Sequence, residues 1–289
     1  MGLAKCISSI VLSFFMALGW WTPASLEIKN VPEKSEGETR VISFNVRCKD
    51  DTAGSVKTRS QLIVSALRQY APDSFGVQEA TEEWMKILSE NLGDKYAYIG
   101  EARDDSSDTE YSAVFYLKDK FELLDGGTFW LSDTPEEFGS KFKSSSLPRI
   151  ATWAVLKNKE NGKVYTHVNT HLDHILETAR VQQVEVLSEK IKELKKVSTV
   201  ICTGDFNSNE GADAYNKMTE VLSDSKYLAK KSDKGKTFHN YGKSLFSFKP
   251  IDFIFVSEGT EVVRYKIIDE QIAGMFLSDH YGLCADIII

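Results

Sequence analysis

Six places along the sequence put polar or acidic side chains where short apolar runs would not want them. Five lie at the ends of such runs: Asn45 in Ser-Phe-Asn-Val, Glu79 in Val-Gln-Glu-Ala, His171 in Asn-Thr-His-Leu-Asp-His, Asp205 with Asn207 in Thr-Gly-Asp-Phe-Asn, and Asp279-His280 in Ser-Asp-His-Tyr. The sixth is Asp252, inside Pro-Ile-Asp-Phe-Ile-Phe-Val. A carboxylate among such large apolar residues must find a partner or lose its charge. Asp205 and Asn207 are two apart, so an extended backbone points both to one face, and His167, Asn169 and His171 share a face in the same way. Each position alone has a plain structural reading. Asp205-Phe-Asn207 is a turn signal, Glu79 suits a helix cap, and Asp252 suits a satisfied core acid. The set taken together reads differently. Carboxylates with Asn and His, and no cysteine cluster, suit a hard oxygen-ligated divalent cation such as Mg²⁺ or Mn²⁺. Two histidines beside acids suit polarising a phosphate oxygen and holding protons in place.

These residues need elements to position them, and the hydrophobic pattern supplies strands alternating with amphipathic helices. Val41–Val46 reads as a strand. Val56–Tyr70 carries apolar positions 56, 62, 63, 66, 67 and 70, a helical stripe that Pro72 stops. Ser74–Gln78 is a short strand, and Thr81 caps a helix with Glu82 and Glu83 in its first turn and an end at Gly93. Strands are expected over 96–99, 111–117, 128–131, 150–157 and 164–170, then a helix over 177–196 with Val184, Leu187, Ile191 and Leu194 on one side. Next come the strand Val200–Thr203, a helix near 212–222, the strand Ile251–Val256 and a last strand from Leu283 to Ile289. Strands outnumber helices, and the helices have one apolar face, which suits helices packed outside sheets in one continuous domain over 40–289. Trp130 and Trp153 read as core.

Composition bounds the partners. The 289 residues carry 35 Lys plus Arg against 42 Asp plus Glu, for a net charge of −7. That balance disfavours gripping nucleic acid by a broad positive field. With 42% hydrophobic residues and only 6 Pro, the chain as a whole is neither disordered nor low in complexity. Residues 1–24 hold one charge, Lys5, ahead of an apolar run over 6–21. That run is shorter than the roughly 20 residues of a spanning helix. The segment is expected to be a secretory signal peptide, with an N-terminal anchor as the alternative, which places the protein outside the cell or in its envelope. Residues 25–39 read as a linker. The cysteines are too scattered for a disulfide framework, and Cys202 and Cys284, in apolar runs, are expected to be buried thiols.

Taken in order, Ser43-Phe-Asn, Gln78-Glu, Asn169-Thr-His, Gly204-Asp-Phe-Asn, Ile251-Asp-Phe-Ile and Ser278-Asp-His resemble the endonuclease/exonuclease/phosphatase family with its deoxyribonuclease I-like fold. Arg103-Asp-Asp, Glu110-Tyr, Gly127-Thr-Phe-Trp-Leu-Ser and Thr-His-Leu-Asp-His resemble a bacterial subgroup of it. The resemblance implies an α/β fold: a four-layer α/β/β/α sandwich of two packed mixed sheets flanked by helices, with the site at one rim. It implies a Mg²⁺- or Mn²⁺-dependent hydrolase of phosphoester bonds, a phosphodiesterase or phosphatase, acting by direct water attack. The alternative is an exported or surface protein that binds a phospho-ligand on the same fold without turnover.

The resemblance also suggests roles. Glu79 is the principal metal ligand, helped by Asn45 and Asp279. Asp205 takes a proton from the attacking water, and Asn207 positions that water or the phosphate. His280, oriented by Asp252, donates to the scissile phosphate, while His171, oriented by Glu110, is the second phosphate-contacting histidine. Arg149, His174 and Arg103 are substrate-contact candidates, and His239 is a candidate for the rim. The charge balance tilts the expected substrate toward a small phosphoester or phospholipid head group rather than nucleic acid, and a monomer without an obligate protein partner is expected.

Overall fold

The computed structural model describes residues 27–28, 30–50, 54–244 and 249–289, so the leader expected over 1–24 lies outside the described residues. Thirteen strands form two mixed sheets among the described residues. The first is built from β1 (Glu38–Asn45), β2 (Ser74–Gln78), β3 (Tyr96–Ile99), β4 (Val114–Leu117), β10 (Lys231–Ser232), β12 (Glu261–Ile268) and β13 (Gly282–Ile288), in the order β10-β12-β13-β1-β2-β4-β3. The second is built from β5 (Phe121–Trp130), β6 (Ile150–Asn158), β7 (Val164–His171), β8 (Thr199–Asp205), β9 (Ser223–Asp224) and β11 (Asp252–Val256), in the order β5-β6-β7-β8-β11-β9. Helices α1 (Val56–Tyr70) and α2 (Glu82–Leu92) pack on the first sheet through Leu62, Leu67, Trp84 and Leu88 against Phe44, Phe75 and Phe115. Helices α3 (Glu177–Leu194) and α4 (Asp213–Thr219) cover the second, with Val184, Leu187, Ile191 and Met218 against Val168, Cys202 and Phe253. The expected four-layer sandwich is the observed one. A two-turn-or-shorter helix, α5 (Ser225–Leu228), follows β9.

The layer between the sheets explains where the chemistry sits. Successive strand side chains alternate faces, so Ile42 and Phe44 of β1 meet helices while Val41 faces the other sheet. The inward row of β1 is therefore Val41, Ser43, Asn45. On β8 it is Ile201, Thr203, Asp205; on β7 it is Tyr165, His167, Asn169, His171; on β11, antiparallel to β8, it is Val256, Ile254, Asp252. Every row passes from apolar to polar toward the same rim.

Midway along these rows lies a polar seam. Tyr165 donates to Ser74 Oγ (2.9 Å), which lies 2.8 Å from His167 Nδ1, and His167 Nε2 lies 2.9 Å from Thr203 Oγ1. Thr203 and Gln78 then both donate to Asn169 Oδ1, at 2.9 and 2.6 Å. One assignment of protons satisfies the whole chain with a neutral imidazole, in keeping with burial that pushes His167 down to about 3. His167 shares a face with His171, as the spacing requires, but belongs to this seam and not to the rim.

Several boundaries differ from expectation. The strand expected over 111–117 starts at Val114, because Tyr111 makes isolated bridges to Ala80 and Ala102. The strand expected over 128–131 begins at Phe121, in an edge strand whose first half is mostly exposed and so lacks an apolar pattern. β12 was not expected, since the bulge between Val262 and Arg264 breaks its alternation. The stretch read as a linker over 25–39 is docked where it is described. Ile28 is buried and its N–H donates to Gln69, Arg40 holds the Pro32 carbonyl, and β1 already begins at Glu38. Thr81 does cap α2, accepting from Trp84 N, and Cys202 and Cys284 are buried free thiols. No helix among the described residues is long and apolar enough to cross a membrane.

Candidate active site

The strand ends open into a cleft of about 470 Å³ lined by Glu79, Glu110, Arg149, His171, His174, Asp205, Asn207, Asp279 and His280, with Arg47, Cys48 and Lys49 from the loop after β1. Register builds its floor: Asp205 sits directly opposite Asp252 on β11 and beside His171 on β7. Four non-glycine residues of the cleft, Arg47, Glu79, Asn207 and Asn240, have left-handed backbones with φ of 62°, 58°, 49° and 46°. Such conformations persist only where surrounding contacts impose them, and they concentrate at working sites.

The buried acid in the apolar run has its partner. His280 Nδ1 donates to Asp252 Oδ2 at 2.9 Å, which leaves Nε2 facing Asp205 Oδ2 at 3.7 Å. Burial opposes charge on His280, but Asp252 and Asp205 outweigh it and push the imidazole up to about 10. Asp205 is itself pushed up to about 7, first by burial and then by the charge of Asp252, against the help of His280 and the Asn207 and Asn45 N–H groups. The floor therefore holds a charged imidazole beside a carboxyl poised near neutrality.

Across the cleft the second histidine is set differently. Asn207 Nδ2 donates to the Leu172 carbonyl and lies 3.0 Å from His171 Nε2, so that nitrogen accepts and the neutral ring carries its proton on Nδ1. Nδ1 is buried without a hydrogen-bond partner, and its nearest acid oxygen, Glu110 Oε2, is 3.8 Å away. Burial and the Arg149 charge hold His171 well below its ordinary value. Glu110 takes a 2.7 Å bond from Arg103. Arg103 thus stands behind Glu110 and does not line the cleft. Arg149, 3% exposed, lies 3.9 Å from Glu110, donates to His174 Nδ1 at 3.1 Å and has an unpartnered Nε. A buried guanidinium with no carboxylate in hydrogen-bond reach is a ready anion contact.

Asp173 positions this wall. Its Oδ2 accepts from Ser146 N (2.7 Å) and its Oδ1 from Ile175 N and Leu176 N (2.9 and 3.1 Å). It thereby fixes the turn that leads into α3, whose Leu176 offers no side-chain cap, and ties the loop before Arg149 to His174. Burial works against its charge, but the Ser146 hydroxyl and three backbone N–H groups hold it well below the usual carboxylate range. His239 is not a lining residue. Its ring stacks on Tyr281 (4.0 Å) and Phe276 (4.5 Å), and its backbone N–H holds the Asp279 carbonyl.

Glu79 and Asp279 share a cation in the form of Arg47, at 3.5 and 3.6 Å. Burial opposes charge on Glu79, yet the Cys48 N–H, the charged His280 and Arg47 hold it below the ordinary range. Asn45 Nδ2 donates to Glu79 (3.1 Å) and Asp205 (3.0 Å), while Oδ1 accepts from Arg47 N. Asn45 thus cross-links the two acids with its carbonyl turned to the backbone. An all-oxygen set of Glu79 and Asp279, with the crowded Asp205 beside it, fits a hard divalent cation. Asp205, Asp252 and His280 also offer ligand atoms within 4.8 Å of one another, but the 2.9 Å bond commits His280 Nδ1 to Asp252. Arg47 and Cys48 were missed from sequence. Their place just beyond the Ser-Phe-Asn strand end was the available signal.

A charged imidazole on an acid, a poised carboxyl and a buried arginine facing one cleft define a centre built to cleave an anionic ester. Residues 42–280 match the Endonuclease/Exonuclease/phosphatase family, and the chain belongs to that family of phosphoester hydrolases. Among solved structures, an endonuclease/exonuclease/phosphatase from Bacteroides vulgatus is 34% identical, with a TM-score of 0.81 over 86% of this chain and 98% of that one. A mannosyl-6-phosphatase from Bacteroides thetaiotaomicron is 33% identical, with a TM-score of 0.80 over 87% of this chain and 100% of that one. The Drosophila melanogaster protein angel is 27% identical over 160 residues, which span 53% of this chain and 44% of that protein.

Proposed function

We propose that this protein is a metal-dependent phosphohydrolase that cleaves a small phosphoester, a sugar phosphate or phospholipid head group rather than nucleic acid, by direct attack of water. The observation that carries it is the cleft itself: the Asp252–His280 pair and Asp205 on one side, the incompletely paired Arg149 on the other. The likeness to a mannosyl-6-phosphatase supports a sugar phosphate in particular.

Glu79 and Asp279 would hold Mg²⁺ or Mn²⁺, with Asn45 fixing the carboxylate of Glu79. The bound ion supplies a Lewis acid that neutralises charge developing on the phosphate oxygens. Asp205, with a pKa near 7, accepts a proton from water, and Asn207 holds that water in line. His280, kept protonated by Asp252, donates from Nε2 to a phosphate oxygen. Arg149 and His174 receive the remaining oxygens, joined by His171 once Asn207 turns to the attacking water and the ring proton moves from Nδ1 to Nε2, while Arg103 fixes Glu110. We place the protein in the envelope or outside the cell on the expectation that residues 1–24 are a signal peptide.

The test is a panel of mannose 6-phosphate, other sugar phosphates, phosphoinositides, sphingomyelin, RNA and DNA, each with and without chelator. Turnover on a small phosphoester, lost on chelation and restored by Mg²⁺ or Mn²⁺, is expected. Turnover confined to nucleic acid would overturn the substrate class, and turnover unchanged by chelation would overturn the metal.

A further inference from the structure

The cleft contains a ligand that this hydrolysis does not use. Cys48 is half-buried, its thiol is free, and its backbone N–H donates to Glu79 Oε2 at 3.0 Å. One ligand atom each from Cys48, Glu79 and Glu110 lie within 4.8 Å of one another. The same corner holds the orphaned Nδ1 of His171, on a side chain 7% exposed, directed at the Glu110 oxygen it does not reach. That nitrogen carries the ring proton, so it calls for an acceptor, and Glu110 is the acid beside it.

We propose that Cys48, Glu79 and Glu110 form a site for a thiophilic divalent cation, Zn²⁺, whose binding takes Glu79 away from the hard cation and stops hydrolysis. Mixed thiolate and carboxylate donors select Zn²⁺ over Mg²⁺, which accepts oxygen almost alone. Bonds of about 2.0–2.3 Å put the ligands of a tetrahedral Zn²⁺ about 3.3–3.8 Å apart, so the three side chains need at most about 1.5 Å of closure. Burial and then the charges of Glu79 and Glu110 push the Cys48 thiol up to about 12. The neighbours that disfavour a bare thiolate favour a cation at the same spot, and coordination releases the thiol proton to solvent. The fourth position stays open to water or substrate. The inhibition rests on Glu79 serving the hard cation; the binding does not.

Binding is read first, without activity. The full chain carrying Cys6→Ser is titrated with CdCl₂ in Mg²⁺-free buffer while the ultraviolet thiolate-to-cadmium charge-transfer band is followed. One Cd²⁺ per chain is expected, with a band that excess Mg²⁺ suppresses and that Cys48→Ser removes, together with at least about a tenfold loss of Cd²⁺ affinity. Cys48→Ala should repeat the result. Where a substrate is in hand, ZnCl₂ should inhibit in competition with Mg²⁺, and Cys48→Ser should weaken that inhibition at least about tenfold. No band in the parent, or a band that survives Cys48→Ser, would overturn the site, and a band indifferent to Mg²⁺ would overturn the inhibition together with the reading of Glu79 as the hard-cation ligand. A chain without turnover on any substrate leaves the cadmium titration as decisive as before.

Discussion

Asp252→Asn keeps the shape of a side chain while removing the charge that holds His280 as an imidazolium. Turnover should fall at least about a hundredfold, the scale of lost acid–base or electrostatic help, with the Mg²⁺ dependence unchanged. The pH profile gives the sharper sign. The wild-type rate should rise as Asp205 ionises around pH 7 and fall as His280 loses its proton toward about 10. The two groups are 3.7 Å apart, so both limbs belong to the pair. Asp252 raises both pKa values, hence Asp252→Asn should move both limbs to lower pH. Glu79→Gln should instead weaken the response to Mg²⁺ and recover partly at high Mg²⁺. Rescue of Asp252→Asn by Mg²⁺, with none for Glu79→Gln, would exchange the two roles. Asp252 was legible in the sequence because an acid in an apolar run demands a partner. Arg47 and Cys48 were not, because a basic residue and a thiol beyond a strand look the same at a cleft as at a solvated loop.

Strands carry the site through what their inward rows contain, and at Gly76 on β2 the two sheets leave no room for a side chain. A Cβ there would lie 2.3 Å from Asn169 Oδ1 and 2.5 Å from Thr203 Oγ1. Asn169 Oδ1 accepts from both Thr203 Oγ1 and Gln78 Nε2, so neither atom can yield without breaking the seam. Gly76→Ala should cost about 2–4 kcal/mol, combining overpacking with a lost buried hydrogen bond. Urea unfolding with an unchanged m-value measures it, and a loss below about 1 kcal/mol would mean that the seam relaxes easily. The inward rows were readable because period-two alternation survives burial, as in His167, Asn169 and His171. The edge elements were not, because β9 and β10 have two residues each and β12 breaks its alternation at a bulge.

At the scale of the molecule, net charge separates the substrate classes. A chain at −7 has no broad positive field with which to hold a polyanion. For a small phosphoester, KM should change less between 50 and 200 mM salt than the roughly fourfold that even one duplex phosphate contact would give. A dependence of tenfold or more would signal several backbone contacts and a nucleic acid substrate. The four layers were implied by the ordered motifs and not by periodicity, since a helix with one apolar face fits many sheet architectures.

The seam between the sheets also shapes how this protein meets temperature. Unfolding it exposes imidazole, amide and hydroxyl groups where most sandwiches expose hydrocarbon. Apolar exposure raises heat capacity by about 0.45 cal/K/mol per Å², and polar exposure lowers it by about 0.26. The polar midline therefore reduces the heat capacity of unfolding and flattens the stability curve. Compared with a hydrocarbon-filled sandwich of equal length and equal peak stability, this one gives up less of its stability on cooling, and its cold-unfolding temperature lies lower.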